Sequence, residues 1–242
     1  MQTRSSVEFR DRAASDESGR GRAASTEGGR RTRDRILQAA AQLMFRQGVA
    51  GTSIPDVQRH ARVSASQIYH YFGDKKGLAA AVIEYQSAMK LEQQRPLLDH
   101  LDSIDALREW CERAAARLDA VHCAGGCEIG SLASELSDSD PSARVRLARA
   151  FAAWQEAIES GLTRMRERGD LAADEDVTAL AGALLAAIQG GMLLSQVNQD
   201  ATPYRRAVTV VIDHIADRVA AARAARSAAD RRPGAGRDRA TR

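Results

Sequence analysis

Two helix starts close together in the first third of the chain constrain the fold more than any other feature. Ser53 precedes Ile54-Pro55, a capping oxygen followed by a proline whose missing N–H costs nothing in a first helical turn. Ser64-Ala65-Ser66-Gln67 is a capping box, in which serine and glutamine satisfy each other's free backbone N–H groups. The spacing predicts a short helix over residues 53–61, a turn at Arg62-Val63-Ser64 and a second short helix over Ala65–Phe72. That is helix-turn-helix spacing. Val57, Ala61, Val63 and Ile68 are the apolar positions that would lock the pair at an angle.

The flanking pattern is helical as well. Ile36, Leu37, Ala40, Leu43, Met44 and Gln47 recur at helical spacing until Gly48, which is expected to end that helix. Asp74 caps a longer stripe through Leu78, Val82, Tyr85 and Met89, and Pro96 is expected to break it. Further stripes follow over residues 104–121, 129–136, 145–165 and 177–192, then 208–219 behind Thr202-Pro203. The fold class is all-α, about nine helices without a strand, and an aromatic content of 4% fits a helical chain better than a sandwich or barrel. Residues 1–30 and 225–242 carry almost no large apolar side chain and are expected to be disordered tails, the second one basic.

Charge is unevenly placed. Residues 30–76 hold 9 Lys/Arg against 3 Asp, whereas residues 77–222 hold 14 Lys/Arg against 22 Asp/Glu. A basic segment on an acidic body implies a polyanionic partner for that segment alone. The second short helix opens with Ala65, Ser66 and Gln67, small or polar residues that allow close approach to a major groove. Gln67 has the groups to pair with an adenine edge. Tyr69, His70, Tyr71 and Lys75 could reach phosphates, and the helix start at Thr52–Ser53 offers free N–H groups. The residues alone fit two readings, a double-stranded DNA reader or a packed helix pair with a tyrosine-rich surface.

The stretch Gly48-Val-Ala-Gly-Thr-Ser-Ile, then Val63-Ser-Ala-Ser-Gln-Ile-Tyr-His-Tyr-Phe, then Asp74-Lys-Lys-Gly-Leu resembles the DNA-binding domain of TetR-family transcriptional regulators, from Thr32 to about Val82. The resemblance implies that Thr52 and Ser53 contact phosphate, that Ala65, Ser66 and Gln67 face bases, and that Tyr69, His70, Tyr71 and Lys75 clamp the backbone. One departure is Arg62, where the family usually has glycine; a left-handed arginine is strained, and its charge could add a phosphate contact. Arg30, Arg31, Arg33 and Arg35 fit either a minor-groove arm or a solubilising tail.

The same resemblance divides the chain into a helix-turn-helix DNA-binding domain at residues 31–76 and a ligand-binding and dimerisation domain at 77–224. Gly126-Cys127-Glu128-Ile129-Gly130-Ser131-Leu132-Ala133-Ser134-Glu135-Leu136 is similar to the ligand domain of a subgroup near the LmrA and YxaF regulators. It implies an inducer pocket for a small, apolar molecule, with Trp110, Cys127, Phe151, Trp154, Gln189 and Met192 as candidate lining. It further implies a homodimer built on the last two helices through Leu184, Ile188, Met192, Val208, Val211, Ile212 and Ile215, although some of these could line the monomer core instead. Gly190-Gly191 inside a helix is expected either to admit a close helix or to leave room for a ligand.

The expected activity is that of a homodimeric repressor released from a pseudo-palindromic operator by a small-molecule inducer. The alternative is control by a protein partner or by oxidation of a Cys123–Cys127 pair. His122, Cys123 and Cys127 are too few for a zinc site, so no metal or other cofactor is expected. The chain shows no nucleophile motif, P-loop or dinucleotide glycine pattern, which argues against an enzyme. The apolar run Ala179–Leu194 reads as a buried helix, no membrane partner is expected, and the expected compartment is the cytoplasm.

Overall fold

Almost every helix begins where the sequence supplies a side chain to cap it. The computed structural model describes residues 27–230, and among these it holds nine helices and no strand. They are α1 (Glu27–Gly51), α2 (Ile54–Ala61), α3 (Ala65–Phe72), α4 (Lys75–Leu98), α5 (Ile104–Ala120), α6 (Glu128–Leu136), α7 (Pro141–Glu167), α8 (Val177–Asn198) and α9 (Thr202–Asp230). Asp74 accepts from Gly77 N at 2.7 Å, Ser103 from Ala106 N at 3.1 Å, and Asp140 from Ser142 N and Ala143 N at 2.9 and 3.0 Å. Such caps satisfy N–H groups that have no partner within the helix.

Several boundaries differ from the expectation. α1 begins at Glu27, inside the segment expected to be disordered, and Thr32 Oγ1 donates to Gly28 O at 2.9 Å in its first turns. α9 runs past residue 224 to Asp230, through an alanine-rich stretch of high helix propensity. Residues 1–26 and 231–242, which hold the rest of the two expected tails, lie outside the described residues. Pro96 does not end α4, which continues to Leu98; in a last turn the lost hydrogen bond and ring clash fall where the helix is already ending. Thr202 lies within α9 rather than capping it, and Asp200 accepts from its N–H and hydroxyl at 2.9 and 2.8 Å.

The first three helices and the start of α4 form a small head. α1 packs on α2 and α4, and α3 joins α2 to α4. α4 continues into the body and packs along α7, which lies on α8. α8 and α9 make the most extensive helix pair, with α5 on the far side of α9. Ile129, Ile158, Leu162, Leu184 and Ile215 are fully buried in the body. Burial of such a side chain contributes about 1.5–3 kcal/mol.

Two glycines allow close approach in the body, one of α7 to the loop between α4 and α5 and one of α8 to α9. A Cβ on Gly161 would lie 2.0 Å from the Leu101 carbonyl oxygen, and one on Gly191 would lie 2.8 Å from Tyr204 Cα. Gly190 beside it faces open space, so only the second glycine of the pair serves helix packing. By length and composition α8 could cross a membrane, yet it is packed between α7 and α9 with Leu184 and Ile188 buried.

Candidate DNA interface and ligand cavity

The head presents α3 outward. Ser64 Oγ accepts from Gln67 N at 3.2 Å while Gln67 Oε1 accepts from Ser64 N at 2.9 Å, so the capping box is closed. A second box at α2, absent from the sequence reading, pairs Ser53 with Asp56: Asp56 N donates to Ser53 Oγ at 3.3 Å and Ser53 N to Asp56 Oδ2 at 3.1 Å. The hydrogen bonds from Ser53 hold the Asp56 carboxyl below the usual carboxylate range. Ser-x-x-Asp is the signal that could have found it.

Ile68 and Phe72 of α3 are buried, which leaves Ser66, Gln67, Tyr69 and His70 exposed on one side and Ala65 and Tyr71 half-buried. Tyr69 is 50% exposed, a large fraction for an aromatic ring. The His70 and Tyr71 rings meet edge-on at 5.2 Å. Lys75 Nζ donates to Ala50 O at 3.2 Å, which ties the start of α4 to the end of α1. Arg62 is exposed and takes the left-handed conformation at φ 53°, ψ 54°. The turn therefore keeps the geometry that glycine would favour, at a cost on the order of 1–2 kcal/mol for a side chain there.

One expected contact is placed differently. Thr52 is buried, and its hydroxyl donates to Gly48 O at 2.8 Å, so it does not present that group to a phosphate. Arg30, Arg31, Arg33 and Arg35 lie in the first turns of α1, with Arg31 paired to Glu27 and the Arg33 guanidinium 5.7 Å from the Phe72 ring centroid.

In the body a cavity of about 500 Å³ opens between α6, α7 and α8. Phe151, Leu185, Met192 and Leu193 give it apolar walls, and Ser131, Ser134, Gln189 and Gln196 add uncharged polar groups. A smaller space of about 40 Å³ lies beside it, lined by Trp110, Trp154 and Tyr204 and also by the charged Lys90, Arg117 and Glu128. Cys127, Gln189 and Met192 line both spaces and so form the partition. The six candidate lining residues therefore fall on one continuous region. Trp110 Nε1 donates to Gln94 Oε1 at 2.9 Å, whereas Trp154 Nε1 is buried without a partner among the described residues.

Burial pushes the Cys127 thiol up from its ordinary pKa, although its sulfur accepts from Gly130 N at 3.3 Å as the cap of α6. Burial likewise pushes Cys111 up, to about 12. Among the described residues no group of three or more His, Cys, Asp or Glu side chains could hold a metal ion.

The expected dimer residues need correction. Leu184, Ile188, Met192, Val208, Ile212 and Ile215 are buried within the single chain, and Val211 is half-buried. The apolar side chains that the same two helices leave exposed are Leu193 (61%), Leu194 (54%), Val197 (74%) and Val210 (70%). α8 is apolar around most of its circumference, so periodicity alone could not say which face turns inward.

Known proteins share the sequence and the fold of this chain. Residues 36–82 match the family of bacterial regulatory proteins named after the tetracycline repressor, TetR, and residues 103–211 match a tetracyclin repressor-like C-terminal domain. An HTH-type transcriptional regulator encoded in the lacX 3' region of Lactococcus lactis is 31% identical over 178 residues, covering 71% of this chain and 86% of its own. The regulator YxaF of Bacillus subtilis is 25% identical over 71% of this chain and 88% of its own. The crystal structure of a TetR regulator from Chloroflexus aurantiacus superposes with a TM-score of 0.67 at 28% identity, over 79% of this chain and 97% of that one. The chain belongs to the TetR family. It is a DNA-binding transcriptional regulator with an N-terminal helix-turn-helix and a helical C-terminal domain, and not an enzyme.

Proposed function

We propose that the protein is a cytoplasmic homodimeric repressor that holds a pseudo-palindromic operator through two copies of α3 and releases it when a small molecule fills the 500 Å³ cavity. The observation that carries this reading is the pairing of an exposed polar face on α3 with a cavity whose lining holds no Lys, Arg, Asp or Glu. An ionised ligand would be left without a counter-charge there, so the inducer is neutral and largely apolar. Ser53, Arg62, Tyr69, His70, Tyr71 and Lys75 supply backbone contacts, and Ala65, Ser66 and Gln67 meet base edges. Exposed Leu194, Val197 and Val210, which lie off the cavity lining, form the core of the dimer face. Control by cysteine oxidation is the weaker reading, because burial pushes the Cys127 thiol pKa up and thiolate is the reactive form.

A gel-shift titration against the DNA upstream of its own gene and a scrambled duplex tests this, at roughly 0.15 M salt, where non-specific binding is weak. The expected result is tight binding to the upstream duplex that Tyr69→Ala weakens about tenfold. Equal, weak binding to every duplex, including those selected from a random pool, would overturn it.

A further inference from the structure

α1 does not run unbroken into the head. At Gly48 the backbone leaves helical geometry at φ 76°, ψ 165°, and a fresh turn begins at Val49. Such a break frees N–H groups that a continuous helix would satisfy. Both Val49 N and Ala50 N donate to one carboxylate from the body, at 2.7 Å to Glu135 Oε2 and 2.5 Å to Glu135 Oε1. Glu135 lies in the last turn of α6, 86 residues beyond Val49. Hydrogen bonds to an ionised acceptor are shorter and stronger than neutral ones, and a carboxylate suits the positive end of a helical turn.

The captured turn leads directly into the head. Thr52 closes it through Gly48 O, Lys75 holds Ala50 O, and Ser53 caps α2 at the next residue. Glycine is required at the break, because φ is positive and a Cβ on Gly48 would sit 3.1 Å from Glu135 Oε2. The other end of the linkage is the cavity. Gly130, Ser131, Ala133 and Ser134, all on α6, line it, so the helix that walls the cavity also holds the head.

We propose that Glu135 is a positioning residue that fixes the angle of the DNA-reading head on the body, and so links the cavity wall to the separation of the two recognition helices in a dimer. The link to spacing rests on the operator reading above; the clamp itself does not. With Glu135 in place the head cannot swivel about Gly48. Without it the two amides turn to solvent and the head samples a range of angles.

The test uses the full chain and duplexes carrying two copies of a half-site that the wild-type protein selects from a random pool, with spacers varied one base pair at a time. The wild type is expected to favour one spacing over its neighbours by about tenfold or more. Glu135→Ala is expected to bind the favoured duplex about tenfold more weakly and to prefer it by less than about threefold, with scrambled-duplex binding unchanged. Glu135→Gln keeps one acceptor oxygen and is expected to fall between the two, which reads the clamp even if the alanine variant folds poorly. Amide exchange at Val49 and Ala50 without DNA is expected to quicken about tenfold in Glu135→Ala. A wild-type spacing profile in Glu135→Ala, or unchanged exchange at both amides, would overturn the proposal. Absence of any favoured duplex for the wild type would sink the operator reading and the spacing link with it, while amide exchange would still decide the clamp.

Discussion

The head and the body use the same kind of element for opposite ends. In the head two helices of 8 residues bury Val57, Ala61, Ile68 and Phe72 and leave their polar side chains facing out. In the body, helices of up to 29 residues enclose space, and the side chains assigned to ligand binding face inward onto the cavities. A surface that reads a long polymer needs only to be held rigid from behind. A pocket for a small molecule must be walled on several sides, which calls for long helices meeting far from their starts. The head rests on short helices backed by α1 and α4, and the body adds pairs far apart in the chain, α4 with α7 and α5 with α9, to the consecutive α7, α8 and α9.

That contrast can be broken in order of expected effect. Gly161→Ala forces a methyl group into the Leu101 backbone and is expected to cost about 3 kcal/mol or more in thermal unfolding, whereas Gly190→Ala, facing open space, is expected to be neutral or to stabilise a single chain by up to about 1 kcal/mol. Similar losses at both glycines would mean that the close helix approach is wrong. Val197→Glu places a charge on the exposed apolar stripe, away from the cavity lining, and is expected to weaken the dimer by about 2 kcal/mol or more, read by sedimentation. A dimer indifferent to this change would move the interface elsewhere. Tyr69→Ala is expected to lose about tenfold in operator affinity without a change in melting temperature, since the ring is half exposed. A large loss of stability would show that Tyr69 supports the head rather than the DNA contact. The smallest effect is Arg62→Gly, expected to stabilise the head by about 0.5–1 kcal/mol by relieving the left-handed turn, net of the freer unfolded chain. A simultaneous fall in DNA affinity would show that the arginine is kept for its charge.

The head was legible because its signals are adjacent in sequence. Ser64 and Gln67 lie within one turn, and the start of α3 at Ala65 follows from them. The cavity was legible in outline, since a glycine-interrupted segment before an apolar helix marks α6, and Cys127, Gln189 and Met192 face the space it walls. What could not be read were choices between faces. Leu184 and Leu193 are chemically alike and lie on one helix, yet only the packing of α7 and α9 makes one core and the other surface. Glu135 sits in the Gly126–Leu136 motif, but nothing in the sequence points to its role, because its two partners stand far away in the chain. The polar ends misled for a related reason, since alanine and arginine near Asp230 sustain a helix without any core to bury.

The closed capping box at Gln67 has a consequence for how target promoters evolve. Its amide oxygen already accepts from Ser64 N at 2.9 Å. To grip an adenine with both amide atoms it must surrender that bond, so the gain is an exchange and falls short of the about 1–3 kcal/mol of discrimination that a free bidentate pair supplies. On the proposed reading, the base beneath Gln67 adds few bits to the operator. That column is free to drift from promoter to promoter, and related genes can join or leave the regulon through it without a matching change in the protein.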